Sequence, residues 1–336
     1  MDSIERYLVP LKREMQQVVA PSAVSPNLVY NMLHYHLGWA DAQFKPSVSD
    51  GGKRLRPILL LLTTEAQGED WRYALPAAAS IELVHNFTLI HDDIEDQDKR
   101  RRGRPTLWSV WGIPQAINAG DALFTLAYQS LINLRTKPLP VERVIQALET
   151  YTQAILRITE GQCRDIAFET QKEVSESDYL SMINGKTAAL IGLASELGGI
   201  IAGVSNVRRE RLRAFGIALG KAFQMQDDLL GLWGDPHRTG KPVGSDILKH
   251  KKTLPIIHGS QKNDELLDLL NKPTLSNDDI THALDLLEAA GSRTYTKSQV
   301  KRYNREALKA LDASGGQGES QKIIRQLVIN LLDRQK

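Results

Sequence analysis

The stretch Leu89-Ile90-His91-Asp92-Asp93-Ile94-Glu95-Asp96 places four acidic side chains at the end of an apolar run. Asp92 and Asp96 are four residues apart, so on a helix they share one face and repel each other unless a cation neutralises them. Acidic runs are usually solvated surface. This one follows residues with the spacing of a buried helix and precedes a run of arginines. We therefore predict a cation site here.

A second acidic pair, Asp227-Asp228, ends another apolar helical pattern, and Gln224 lies one turn before it. An isolated pair is weak evidence, because most such pairs are solvated. Helical bundles, however, build metal sites from carboxylates on facing helices, so two such clusters in one chain favour a shared site. Because the ligands would all be oxygen atoms, Mg²⁺ or Ca²⁺ is favoured over zinc.

The composition is that of a globular protein with balanced charge. Of the 336 residues, 42% are apolar, and the net charge of +2 gives no field that would favour nucleic acid as a partner. The sequence has neither a bilayer-spanning apolar run nor a signal-peptide pattern, so we expect a cytoplasmic protein without an integral membrane segment. The one cysteine, Cys163, excludes an intrachain disulfide, and we expect it to be buried.

Helical patterns follow one another along the chain, without long strand-like alternation. Pro57 and Pro76 have the position that proline prefers in a first helical turn, whereas Gly112-Ile113-Pro114 is interpreted as an end. The prediction is an all-α fold, with a single domain over residues 1–336 whose helices form a bundle around a central substrate cavity. The main helical patterns cover residues 4–19, 25–37, 118–134, 141–169, 177–204 and 208–232.

Four separate basic clusters accompany the two acidic ones. Each cluster alone is usually wetted surface or a helix C-terminus. Their joint occurrence favours phosphate binding, because lysines and arginine forks bind phosphate oxygens. The clusters are residues 51–57, 99–103, 186–187 and 249–253.

Seven motifs, in this order and spacing, resemble the trans-polyprenyl diphosphate synthases, most of all geranylgeranyl diphosphate synthases. The resemblance is dense over residues 45–260. It implies the isoprenoid-synthase fold, a homodimer, and condensation of isopentenyl diphosphate with allylic prenyl diphosphates of C5 to C15. The motifs are Gly51-Gly52-Lys53-Arg54-Leu55-Arg56-Pro57, the stretch 89–96, Arg101-Arg102-Gly103, Gly161-Gln162, Lys186-Thr187, Phe223-Gln224-Met225-Gln226-Asp227-Asp228 and Lys251-Lys252-Thr253-Leu254-Pro255.

The resemblance also implies roles for individual residues. Asp92, Asp96 and Asp227 would hold three Mg²⁺ ions per active site that bridge the allylic diphosphate, and Asp93 belongs to the same catalytic motif. The oxygens of Thr187 and Gln224 would face the allylic cation. The residues implied for the allylic diphosphate are Arg101, Lys186 and Lys251. Those implied for isopentenyl diphosphate are Lys53, Arg56, His85 and Arg102.

One position departs from the family pattern, because Gly231 stands where members often carry a third aspartate. We expect Asp235 or Asp246 to support the metal there through water. His91, in contrast to His85, is interpreted as a structural residue.

Product length is predicted from the helix that precedes the acids. With about 100° per residue, Thr88 lies roughly 40° around the helix from Asp92 and Phe87 about 140°. Val84 and Thr88 would line the route of the growing chain, and Phe87 would form a partial floor. An aromatic residue at the earlier position alone resembles geranylgeranyl diphosphate synthases, so a C20 product is predicted. The alternative is that Phe87 is ordinary core packing.

Other functions remain open at this stage: a farnesyl or longer-chain diphosphate synthase, a class I terpene cyclase, or a noncatalytic partner subunit. A cyclase ionises one prenyl diphosphate and would not need Lys53, Arg56 and Arg102 for a second. A noncatalytic homologue would be expected to lose the first acidic motif or the arginines, and both are present.

Overall fold

The fold is all-α. The structure, a computed structural model, describes residues 2–20, 28–47, 52, 54–235, 242–272 and 274–332. Within these ranges the strands are limited to a hairpin of two-residue strands, β1 (Arg100–Arg101) and β2 (Arg104–Pro105). None of the described helices combines the length and the hydropathy needed to cross a bilayer.

The chain divides into two compact units. The N-unit comprises Met1–Glu149 and Leu197–Val204, and the C-unit comprises Thr150–Glu196 and Ser205–Lys336. The interpretation of residues 1–336 as a single domain stays a prediction.

The N-unit is built on α4 (Leu75–Glu95), in which residues 76–84 are buried and, apart from Ser80 and Glu82, apolar. Pro76 lies in its first turn, as predicted, where the missing N–H leaves no helical bond unmade. Small residues such as Ala116, Ala119 and Gly120 line the buried side of α6, so α6 packs closely along α4. The other helices are α1 (Asp2–Val18), α2 (Leu28–His36), α3 (Leu55–Ala66), α5 (Leu107–Trp111), α6 (Ile113–Ile132) and the first part of α7 (Val141–Glu169), with 3₁₀ turns at Trp71–Ala74 and Asn133–Thr136.

The C-unit is built on α10 (Asn206–Trp233), which packs mainly along α15 (Ser292–Ala313). Leu212, Phe215 and Leu219 form its buried stripe at helical spacing. A second apolar cluster fixes the end of α10 against the short helices that follow it. Those and the remaining elements are the second part of α7, α8 (Glu176–Ile183), a π turn (Asn184–Ala188), α9 (Ala189–Ile201, whose last five residues belong to the N-unit), α11 (Ser245–Leu248), α12 (Leu254–Ser260), α13 (Asp264–Leu270), α14 (Asn277–Ala289) and α16 (Gly318–Leu332).

Three sequence-based expectations are wrong. The pattern over 177–204 is not one helix, because the π turn interrupts it. The helix predicted to begin at residue 118 begins at Ile113, with Pro114 in its first turn, whereas Gly112 ends α5 as predicted. Cys163 is exposed on α7. In contrast, α7 has the predicted bounds. The expected start of α2 at residues 25–27 lies outside the described residues.

Candidate active site

The first acidic motif forms the last turn of α4. The backbone N–H of Asp96 donates to the carbonyl oxygen of Asp92 at 2.8 Å, so these two residues lie one turn apart, and both are half-buried. Asp93 is only 2% exposed and accepts a hydrogen bond from Nε of Arg101 at 2.6 Å. Burial raises the pKa of Asp93 to about 6, although Arg101 opposes the shift. Asp93 and Arg101 thus join α4 to β1.

The arginines and the histidine predicted for a second diphosphate lie together in the N-unit. Nη1 of Arg56 lies 3.2 Å from Nε2 of His85. Because a guanidinium only donates, Nε2 accepts here and the ring proton is on Nδ1. Burial, followed by the charges of Arg56 and Arg102, lowers the pKa of His85 well below its usual value. His85 is therefore neutral. Lys53, predicted for the same set, lies outside the described residues.

Two further residues of this cluster were missed by sequence reasoning. Glu82, 3% exposed, lies one turn before His85, and burial raises the pKa of its carboxyl while Arg54 and Arg56 oppose the shift. Because Glu82 lies three residues before His85, the two share one face of a helix, and this spacing could have indicated Glu82 from the sequence. His36 had no such signal. Burial lowers its pKa to about 3, and its Nε2 has no hydrogen-bond partner among the described residues.

A cavity of about 430 Å³ lies within the C-unit beside the second acidic motif. Carboxylates and lysines line it together, so it suits a ligand that carries both phosphate oxygens and a cation. Its charged lining residues are Asp165, Asp227, Asp228, Asp246, Lys186, Lys251 and Lys252.

The π turn sets the position of Lys186 and Thr187. Its backbone approaches α7 so closely that a Cβ at Gly161 would lie 2.1 Å from the backbone nitrogen of Lys186. A Cβ at Gly185 would lie 2.5 Å from the carbonyl oxygen of Arg157. Nζ of Lys186 forms an ion pair with Asp165, one turn after Gly161. The Gly161-Gln162 motif is thus explained by a close backbone approach, and Asp165 could have been found from its i+4 spacing.

A chain of hydrogen bonds runs from Thr187 to Asp228. Oγ1 of Thr187 donates to Oε1 of Gln224 at 2.7 Å, and Nε2 of Gln224 donates to Oδ1 of Asp228 at 3.0 Å. Oδ2 of Asp228 accepts from Oη of Tyr179 at 2.6 Å and from the backbone N–H of Leu254 at 3.1 Å. Burial raises the pKa of Asp228 to about 7 against these donors. Asp228 therefore orients the Gln224 amide, and Asp227 is the half-buried acid of the pair.

The departure at Gly231 has a structural counterpart. A Cβ at this position would lie 2.1 Å from Oδ2 of Asp246, so the carboxylate of Asp246 fills the space that a third aspartate would enter. The Asp246 segment is held to the end of α10, where Oγ of Ser245 donates to the carbonyl oxygen of Gly231 at 3.2 Å.

Of the residues predicted to control product length, Phe87 contacts α6. The ring of Phe87 lies 4.8 Å from that of Phe124, which in turn lies 5.2 Å from Tyr128. Val84 is fully buried, and Oγ1 of Thr88 donates to the carbonyl oxygen of His85. His91 packs edge-on against Phe87 and against Gly120, where a Cβ would lie 2.3 Å from Nε2 of His91. This packing agrees with a structural role for His91.

Metal binding has to be judged from the donor set. In the described ranges, no three acidic, histidine or cysteine side chains already converge in metal-ligand geometry. The oxygen-only donors Asp92 with Asp96 and Asp227 with Asp246 suit Mg²⁺, which typically takes one or two carboxylates and completes its shell with water and phosphate. Asp246 lines the same cavity as Asp227, and its carboxylate lies beside Gly231, so it supplies an oxygen donor where a third aspartate would stand.

Comparison with known proteins agrees with this fold. The sequence model of the polyprenyl synthetase family matches residues 38–287. The farnesyl diphosphate synthase of Mycobacterium tuberculosis H37Rv is 38% identical over 90% of this chain and 86% of its own length. The geranylgeranyl diphosphate synthase of the same strain is 43% identical over 77% of this chain and 75% of its own. The crystal structure of the Pyrococcus horikoshii geranylgeranyl pyrophosphate synthetase, 34% identical, superposes with a TM-score of 0.88 over 99% of this chain and 98% of that one.

Fold and site together define an all-α isoprenoid synthase. The chain belongs to the polyprenyl synthetase family, and it is a trans-prenyltransferase.

Proposed function

We propose that this chain condenses isopentenyl diphosphate with allylic diphosphates of C5 to C15 and makes geranylgeranyl diphosphate. The allylic carbon–oxygen bond breaks, and its electrons leave with the diphosphate. The double bond of isopentenyl diphosphate then forms the 1'-4 carbon–carbon bond, and the released diphosphate accepts the proton. The observation that carries the proposal is the Arg56–His85 pair with Arg102 nearby, an anion site in the same unit as the first acidic motif and separate from the lysines of the C-unit cavity.

The proposed roles follow from the state of each side chain. Arg56 and Arg102, with Lys53, bind isopentenyl diphosphate, and neutral His85 adds no competing charge and holds the Arg56 fork. Lys186 and Lys251 stabilise the charge that develops on the leaving diphosphate, with Arg101. The hydroxyl of Thr187 donates its hydrogen bond to Oε1 of Gln224, so the lone pairs of Oγ1 are left to face the allylic cation.

We propose Mg²⁺ as the metal, held by Asp92 and Asp96 and, at the second motif, by Asp227 with Asp246. When bound, Mg²⁺ supplies the positive charge that makes diphosphate a leaving group. Asp246 takes the part of the missing third aspartate, in preference to Asp235, because its carboxylate fills the space at Gly231.

The metal proposal is tested by calorimetric titration of Mg²⁺ in the presence of inorganic diphosphate. Asp246→Asn should weaken Mg²⁺ binding about tenfold, and Asp235→Asn, the control, should not. Gly231→Asp should weaken binding by crowding Asp246, and Gly231→Asp combined with Asp246→Ala should restore it. Equal binding by wild type and Asp246→Asn would remove Asp246 from the site.

The C20 product is supported by the contact of Phe87 with Phe124, which closes one side of the route beside α4, and by the small Thr88 on the other side. Relatives of both product classes match this chain at 38% and 43% identity, so the comparisons do not select the length.

The function is tested by supplying purified protein with Mg²⁺, isopentenyl diphosphate and C5, C10 or C15 primers, and resolving the products by length. Accumulation of C20 is expected. A hydrocarbon formed from one substrate alone would favour a cyclase, and no turnover a noncatalytic subunit. Arg102→Ala should raise the KM for isopentenyl diphosphate far more than that for the primer, and equal effects would contradict the assignment of two anion sites.

We further propose a homodimer that uses the outer face of α6. Ile113, Ile117 and Ile132 on this helix are 48%, 41% and 39% exposed, and they fall within about 100° of one another around the helix, so they form one exposed apolar stripe along it. Sedimentation equilibrium should give twice the chain mass, and Ile117→Lys should shift the protein to monomer. A monomeric wild type would contradict the proposal.

A further inference from the structure

The hairpin after the first acidic motif carries an arginine in an unusual backbone conformation. Arg102 and Gly103 form its two-residue turn, with φ of 50° and 75°. Positive φ at both positions is the type I′ pattern, for which asparagine or glycine is preferred at the first. An arginine there costs backbone energy, and residues held in such conformations concentrate at functional sites.

Gly52, opposite the hairpin, makes room for this side chain. Gly52 also has a positive φ of 83°, and a Cβ on it would lie 2.7 Å from Nη2 and 2.9 Å from Cζ of Arg102. The Arg102 guanidinium therefore lies directly on the Gly52 backbone, and Gly52 stands four positions before Arg56 in the sequence. The position of the Arg102 side chain therefore depends on where the hairpin lies relative to Gly52.

Four residues, which we call the Arg104 staple, hold the outer strand of the hairpin. Nη2 of Arg104 donates to the carbonyl oxygen of Ala40 at 2.7 Å, and its guanidinium lies 4.1 Å from the centre of the Tyr35 ring. Oη of Tyr35 donates to the carbonyl oxygen of Pro105 at 2.8 Å. A hairpin of two-residue strands is not stable alone, so its position has to come from such contacts.

The inner strand is held separately, by the Arg101–Asp93 pair. Arg101 and Arg104 face each other in the strand register. The hairpin is thus fastened to α4 on one side and to α2 and the following loop on the other, with Arg102 at the tip between them.

We infer that Arg104 and Tyr35 are positioning residues that hold Arg102 for the diphosphate of isopentenyl diphosphate. The inference rests on the proposed function. Neither residue needs to touch substrate, because Arg104 is engaged by Ala40 and by the Tyr35 ring, and the hydroxyl of Tyr35 is engaged by Pro105.

The test compares Arg104→Ala, Arg104→Lys and Tyr35→Phe with Lys45→Ala. The control removes one positive charge from the same loop, where the Lys45 side chain is exposed. Arg104→Ala should raise the KM for isopentenyl diphosphate about tenfold, the equivalent of one charge-assisted hydrogen bond. The KM for the primer and kcat should change less than about twofold. Arg104→Lys should recover part of the loss, and Lys45→Ala should match wild type.

Hydrogen exchange gives a second readout that needs no turnover. Arg104→Ala and Tyr35→Phe should both speed exchange of the amides in residues 99–106, and both should weaken calorimetric binding of inorganic diphosphate. If wild type does not elongate, the proposed function fails while these two measurements still decide the staple. Unchanged hydrogen exchange in Arg104→Ala would overturn the inference. A raised KM for isopentenyl diphosphate in Arg104→Ala but not in Tyr35→Phe would also overturn it, because that result indicates direct contact between Arg104 and the substrate.

Discussion

Replacing Gly161 by alanine tests whether the backbone contact between α7 and the π turn positions Lys186 and Thr187. The new Cβ would lie 2.1 Å from the nitrogen of Lys186 and 2.6 Å from the carbonyl carbon of Gly185. Ordinary contact begins near 3.4 Å, so the two segments must separate by about 1.3 Å. Only backbone atoms are involved, and no side chain can rotate away to relieve the clash.

The sign of the stability change is decisive. At an unobstructed helical site, glycine to alanine stabilises by about 0.5–1 kcal/mol. Here overpacking should destabilise by about 1–3 kcal/mol, which lowers Tm by roughly 1–2 °C per kcal/mol in a chain of 336 residues. A displacement of about 1 Å at Lys186 and Thr187 should reduce kcat roughly 10²-fold.

Differential scanning calorimetry and the elongation assay measure the two effects. Glu160→Ala, at the exposed neighbouring position on α7, is the matched control and should leave Tm and kcat close to wild type. A Gly161→Ala protein with raised Tm and unchanged kcat would refute the argument that this contact positions the site.

Three further predictions concern other parts of the chain. Burial lowers the pKa of His36 from 6.5 to about 3, so the unfolded chain binds a proton below pH 6.5 that the folded protein does not. Above pH 6.5, His36 is neutral in both states and does not make the free energy of unfolding depend on pH. Below that pH, the protonated unfolded state is favoured, and the free energy of unfolding falls by up to about 1.4 kcal/mol per pH unit. His36→Gln should therefore flatten the drop in Tm between pH 7 and about 5, and parallel curves would contradict this. Phe87→Ala should shift the product beyond C20, and Phe124→Ala should act in the same direction. An unchanged product chromatogram for both variants would show that the Phe87–Phe124 pair does not limit chain length. Tyr179→Phe should cost about 1–3 kcal/mol, because buried Asp228 loses a donor; urea unfolding with no loss of stability would count against that network.

Sequence periodicity was a good guide wherever the decisive contacts are local. Residues three or four apart share a helix face whatever the tertiary structure, so the spacing of Asp92 with Asp96 and of Gln224 with Asp228 could be interpreted directly. The bounds of α7 followed from the same rule. The π turn could not be predicted, because the residue that it approaches, Gly161, lies more than twenty positions earlier in the chain.

The motifs identified which residues belong to a site but not what each one contacts. In the sequence, nothing distinguishes Asp93 and Asp228 from the other acids of their motifs. In the structure, both are buried and accept hydrogen bonds from protein donors. Tyr179, which donates to Asp228, is 49 positions away, and no local pattern links these two residues. Asp246 was one of two candidates for the space at Gly231, and only the close approach of its carboxylate distinguishes it from Asp235.

By itself, the sequence determined the all-α class, the two acidic motifs and the basic sets that accompany them, because helix periodicity and charge spacing are local properties of a chain. The tertiary structure alone decided which acids are buried, how the Arg102 hairpin is held, and where a glycine lets two backbones touch. These depend on contacts between residues far apart in the chain, and such contacts exist only once the helices have packed.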